Sequence, residues 1–109
     1  QKRNKYGNIT SAAGASRKEV RRGEELRVRE MAGEISNLRY QVPYVLIPSQ
    51  RKKDGSLERD VKYIADFVYT ENGEIVVEDS KSEITRKIPA YILKRKMLLH
   101  IHGIEILET

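Results

Sequence analysis

The stretch VKYIADFVYTENGEIVVEDSK, residues 61–81, decides the reading of this chain. Two runs rich in β-branched and aromatic residues, 61–70 and 75–81, flank Glu71-Asn72-Gly73-Glu74. Asn-Gly is the preferred pair for a two-residue type I′ hairpin turn, because both positions need a positive φ. Such a turn pairs Glu71 with Glu74. Counting outward, Val68 faces Val77, Asp66 faces Asp79 and Ile64 faces Lys81. Side chains alternate across a strand, so Ile64, Asp66 and Val68 share a face with Val77, Asp79 and Lys81. Glu78 and Ser80 point the other way, with Val76.

Two carboxylates are thereby predicted to lie across from each other, with Cβ atoms ~4.5–5.5 Å apart, where like charges destabilise a sheet. The apolar residues around them imply partial burial, which is costly for a carboxylate pair without compensation. A divalent cation compensates, since hard cations take oxygen ligands. Lys81 adds a positive charge two residues along the same face. Asp66, Asp79 and Lys81 together suit phosphodiester hydrolysis, with acids to hold Mg²⁺ and an ammonium to stabilise phosphate charge. A solvent-facing salt bridge on an open sheet is the alternative reading of the trio.

Working outward, residues 38–47 read as a strand whose Pro43 places it at an edge or at a bulge. Residues 49–60 form a polar loop with Arg51, Lys52 and Lys53 and an Asp54-Gly55 turn. Upstream, Ser16 and Glu19 match a capping box, and a helix is expected from Arg17 to about Ala32, stopped by Gly33. Val20, Val28, Met31 and Ile35 form its apolar side, and Gly23 weakens it by ~1 kcal/mol relative to Ala. Downstream, Pro89 opens a second helix with Ile92, Leu93, Met97 and Leu98 to bury, ended by Gly103. Ile104 and Ile106 alternate with Glu105 in a final strand. The expected fold is α/β, a mixed sheet with flanking helices in the order α-β-β-β-α-β. Residues 1–15 are expected to be a flexible basic arm and 16–109 the domain.

The 109 residues suit one domain. There is no cysteine, which excludes disulfides, thiolate zinc sites and cysteine nucleophiles and fits a reducing interior. No apolar run is long enough to span a membrane and no signal peptide is visible, so no membrane partner and a cytoplasmic location are expected. A net charge of +5 and a pI near 9.5 favour an anionic partner. Basic groups at Arg17 and Lys18, Lys52 and Lys53, and Lys94 and Lys96 are candidates for contacts to a phosphate backbone.

Asp66, a hairpin and Asp79-Ser80-Lys81 resemble the D…(D/E)xK signature of the PD-(D/E)xK nuclease superfamily, and the expected element order matches that superfamily's core. The chain also resembles a phage-encoded group of endonuclease-I-like and Holliday-junction-resolvase-like proteins. That likeness rests on Asn4-Lys5-Tyr6-Gly7-Asn8, Ser16-Arg17-Lys18-Glu19, Ala32-Gly33-Glu34-Ile35, Tyr63-Ile64-Ala65-Asp66-Phe67, Val77-Glu78-Asp79-Ser80-Lys81 and Leu93-Lys94-Arg95-Lys96. It departs from the group at Gly23, Glu24, Arg29, Ser80 and Ser82. The resemblance implies a Mg²⁺-dependent DNA endonuclease, with Mn²⁺ able to substitute, acting on branched DNA as a homodimer. It also implies Glu19 as a further metal-site acid, where the local pattern gives a capping-box partner, and Gln41 as a residue lining the site. A nucleic-acid-binding module that keeps the fold without catalysis is the competing expectation.

Overall fold

A computed structural model describes residues 16–109; the arm expected at 1–15 lies outside the described residues. The elements are α1 (Arg17–Met31), β1 (Ser36–Ile47), β2 (Gln50–Arg51), β3 (Leu57–Glu58), β4 (Val61–Glu71), β5 (Glu74–Asp79), α2 (Glu83–Arg86), α3 (Pro89–His102) and β6 (Leu107–Glu108). The main sheet is mixed, in the order β1-β4-β5-β6. β1, β4 and β5 run antiparallel, and β6 joins parallel to β5. The domain is α+β, with helices flanking the sheet.

The hairpin forms as its turn chemistry dictates. Asn72 (φ 54°) and Gly73 (φ 80°) both take the left-handed conformation that a type I′ turn demands. Glu71 pairs with Glu74 and Val68 with Val77, the register read from the sequence. Pro43 sits on β1, the edge strand, where a missing N–H costs no ladder bond.

Strict alternation does not survive along β4. Tyr63, Ala65, Val68 and Val77 share a core cluster with Leu46, Tyr91 and Leu98, whereas Phe67 and Tyr69 pack with Leu26 and Ile35. Tyr63 and Val68 are an odd number of residues apart, so the faces exchange between them. Every residue from Ala65 to Tyr69 is buried, while Ile64 is 51% exposed. Ile64 therefore does not flank a buried acid pair. The exchange occurs where the β1–β4 pairing passes from Val42↔Ala65 to Tyr40↔Phe67, leaving out Gln41 and Asp66. Gln41 there has a φ of 53°, an uncommon value for a residue other than glycine.

Helix α1 corrects the expected apolar stripe. Val28 and Met31 are exposed, and the buried residues are Gly23 and Leu26. A Cβ at Gly23 would meet Phe67 Cε1 at 3.3 Å and Tyr40 Cε1 at 3.8 Å, so the glycine lets the helix approach the sheet closely. In α3 the buried residues are Tyr91 and Leu98, and Leu93 faces outward. The loop expected at 49–60 contains a two-stranded ribbon, Gln50 pairing with Glu58 and Arg51 with Leu57. Two short elements also depart from expectation. Ser82 caps the single turn of α2 through the Thr85 amide, and the final strand is Leu107–Glu108 rather than the Ile104–Ile106 alternation.

Candidate functional site

The backbone ladder between β4 and β5 ends at Phe67↔Glu78. Beyond it, Asp66 and Asp79 join their strands through side chains. The Asp66 amide donates to Asp79 Oδ1 at 3.0 Å, and the Ser80 amide donates to Asp66 Oδ2 at 3.0 Å. Asp79 is fully buried and Asp66 is 7% exposed. Each carboxylate thus commits one oxygen to a main-chain N–H, which fixes its orientation, and leaves the other. Asp79 Oδ2 is buried with no hydrogen-bond partner. A buried carboxylate oxygen without a partner is expensive.

Glu19 approaches from α1. Its amide takes the Ser16 Oγ cap at 3.0 Å, so half of the expected capping box is present. Its carboxylate turns to the sheet, where Gln41 Nε2 donates to Glu19 Oε2 at 3.0 Å and reaches Asp66 Oδ1 at 3.5 Å. The left-handed turn at Gln41 lies in the gap of the β1–β4 ladder opposite Asp66. Burial, followed by the charge of Asp66, pushes the Glu19 carboxyl up to about 7. Burial raises Asp79 to about 6, against the opposing influence of Lys81 and the Asp66 amide. Asp66 is raised by burial too, opposed by the Ser80 amide, Lys81 and Gln41. Burial is the leading cause of all three shifts, and repulsion from Asp66 adds to it only for Glu19, so these are acids whose charged forms the protein solvates poorly.

Lys81 lies past the end of β5, correcting its expected place on the strand. Its Nζ is 4.0 Å from Asp79 Oδ1 and 5.5 Å from the centre of the Tyr91 ring. Its position comes instead from Thr109, the residue after β6: Thr109 N donates to Asp79 O at 2.9 Å and Lys81 N donates to Thr109 O at 3.2 Å. Lys18 Nζ, on α1, donates to Lys81 O at 3.1 Å. Asp66, Asp79, Lys81, Glu19 and Gln41 are therefore brought together.

The basic candidates are placed less closely. Arg17 and Lys18 are exposed on the first turn of α1. Lys52 pairs with Glu58 at 3.2 Å within the β2–β3 ribbon, and Lys53 is exposed at its turn. On α3, Lys94 is half-buried and Lys96 exposed.

Glu78 points away from Asp79, as parity requires, and is fully buried. It accepts from Arg22 Nε at 2.6 Å, Arg22 Nη2 at 3.2 Å, Tyr69 Oη at 2.7 Å and Thr109 Oγ1 at 3.1 Å. Sequence reading does not find this network. Its one available signal is Arg22, three residues after Glu19 and so on the same side of the helix.

Among the described residues, no three His, Cys, Asp or Glu side chains gather into a ready metal cage. Mg²⁺ does not require one, since it keeps several waters and takes one or two protein carboxylates. The all-oxygen donor set and the partnerless Asp79 Oδ2 suit a hard cation of this kind. The chain matches the family described as protein of unknown function (DUF1064) over residues 3–104, and it belongs to that family. No curated protein and no solved structure matches it. Among the described residues, no helix is long and apolar enough to cross a membrane.

Proposed function

We propose that this protein is a Mg²⁺-dependent DNA endonuclease of the PD-(D/E)xK type. Its substrate is branched DNA of the Holliday-junction class, cut during phage replication or recombination in the host cytoplasm. The observation that carries the reading is the reciprocal clasp of Asp66 and Asp79, which leaves Asp79 Oδ2 unpartnered, with Lys81 Nζ 4.0 Å from Asp79 Oδ1 and Glu19 linked to Asp66 through Gln41.

In this reading Asp66 and Asp79 hold the cation, and Glu19 completes the acidic wall from α1. The cation supplies Lewis-acid polarisation of the phosphoryl group and a water of lowered pKa. Lys81 stabilises negative charge on the phosphate. It is held for that role by the Thr109 backbone, the Tyr91 ring and Asp79. Gln41 donates toward both Glu19 and Asp66 and fixes the helix acid relative to the strand acid. Arg17 and Lys18, on the same helix turn as Glu19, offer positive charge to the backbone of a bound strand. Lys52, Lys53, Lys94 and Lys96 extend that charge beyond the site, and a homodimer would supply two sites for paired cuts.

The test is a cleavage assay on four-way junctions, flaps and linear duplex with Mg²⁺ or Mn²⁺, beside isothermal titration of Mn²⁺. Wild type is expected to cut the junction, and Asp79→Ala to lose both cutting and metal binding. DNA binding without cleavage in wild type would make the protein a non-catalytic module. Neither metal binding nor DNA binding would reduce the acids and Lys81 to a structural cluster.

A further inference from the structure

We infer that Arg22 and Glu78 are positioning residues of this site: the pair formed by the buried Glu78 and the partly exposed Arg22 sets the helix carrying Glu19 against the strand carrying Asp79. The inference rests on the proposed metal site, and its basis is where the pair falls. Glu78 immediately precedes Asp79, and Arg22 is one turn beyond Glu19. The guanidinium meets the carboxylate through two nitrogens, at 2.6 and 3.2 Å. This fork geometry fixes direction as well as distance.

Nothing about stability alone calls for a charge here. A buried ion pair replaced by apolar residues of similar volume is often neutral or stabilising. What the pair supplies is a unique setting of two elements. Glu78 is the common acceptor for groups from α1, from β4 through Tyr69, and from the segment after β6 through Thr109. Thr109 also holds Asp79 and Lys81 through its main chain and approaches Ser80 Oγ at 3.3 Å. The same carboxylate thus ties together the pieces that bear Glu19, Asp79 and Lys81. Gly23, next to Arg22, lets the same stretch of helix approach Phe67 and Tyr40 of the sheet closely.

The variants are Arg22→Lys, which keeps the charge and loses the fork, and Glu78→Gln, which keeps the shape but removes the charge and turns into a donor one of the two oxygens that accept from Tyr69 and Thr109. Leu26→Val, a core change on the same helix, serves as the destabilised control. Each is measured for thermal unfolding, for Mn²⁺ affinity by titration calorimetry, and for single-turnover cleavage with kcat and KM separated. Partners that orient metal ligands typically cost 10–100-fold in affinity or activity when mutated. Arg22→Lys and Glu78→Gln are expected to weaken Mn²⁺ binding and kcat by that order while KM for DNA stays within about twofold. Leu26→Val is expected to unfold earlier with Mn²⁺ affinity unchanged. Wild-type metal affinity and kcat in both pair variants would overturn the inference while leaving the site itself standing. Absence of metal binding in wild type would overturn the site, and this inference with it.

Discussion

Replacing Asp79 by asparagine should stabilise the metal-free protein while abolishing its response to metal. The side chain is fully buried, Oδ1 accepts one main-chain N–H, and Oδ2 accepts nothing. Burial raises its pKa from 3.8 to about 6. A carboxyl with a raised folded pKa favours folding most below its unfolded pKa. That contribution is lost as pH rises from 3.8 to about 6 and is absent above. At 1.36 kcal/mol per unit, the buried charge costs about 3 kcal/mol at neutral pH. The asparagine side chain would not titrate and keeps an acceptor for the Asp66 amide. Asp79→Asn should therefore match wild type near pH 4 and exceed it by about 1–3 kcal/mol at pH 8 in EDTA, a rise of roughly 5–15 °C in Tm. Adding Mg²⁺ at ten times its Kd should stabilise wild type by about 1.4 kcal/mol and leave the variant unmoved. The assay is thermal and urea unfolding followed by circular dichroism across pH 4–8, with and without Mg²⁺. A variant no more stable than wild type at pH 8 in EDTA would refute the claim that this carboxylate awaits a cation.

Lys81→Ala should lower kcat by about 10²–10³, the magnitude seen when a charge-stabilising donor is removed. Because Lys81 holds Asp66, Asp79 and Glu19 down, the acid limb of the pH–rate profile should also move to higher pH; an unshifted limb would place the lysine outside the site. Gly23→Leu should cost about 1–3 kcal/mol by overpacking against Phe67 and Tyr40, and unchanged urea unfolding would contradict the close approach of α1. Ile64→Lys and Leu93→Lys should stay within about 0.5 kcal/mol of wild type, as exposed substitutions do. A large loss for Ile64→Lys would restore it to the interior face that simple alternation assigns.

The hairpin is legible because its information is local. Asn72-Gly73 sets the turn, the turn sets the register, and the register separates Asp79 from Glu78. Pro43 marks an edge strand for an equally local reason. Alternation misplaces Ile64 because β4 exchanges faces where Gln41 leaves the ladder, and no local signal marks a left-handed glutamine. The inner face of α1 is hidden because it is mostly polar. Glu19, Arg22 and Gly23 line it with Leu26, and their partners lie far along the chain, Arg22 and Glu78 being 56 positions apart. Hydrophobic periodicity therefore selects Val28 and Met31, which face outward. Strand parity brings Lys81 beside Asp79 but puts it on the wrong element, since the backbone that holds it arrives with Thr109. Glu19 comes from the resemblance, and the structure adds the physical link through Gln41.

The clasp between the two aspartates has a consequence for hydrogen exchange. Where the sheet leaves off its ordinary ladder, the last two amides, of Asp66 and Ser80, are guarded by carboxylates instead of carbonyls. A carbonyl acceptor does not titrate, but these guards do. Those two N–H groups alone in the strand pair should change their protection with pH and with bound cation, while the neighbouring rungs from Phe67 to Glu71 stay constant. The protein thus carries a built-in reporter, two backbone protons whose exchange reads the ionisation and occupancy of the site without any substrate.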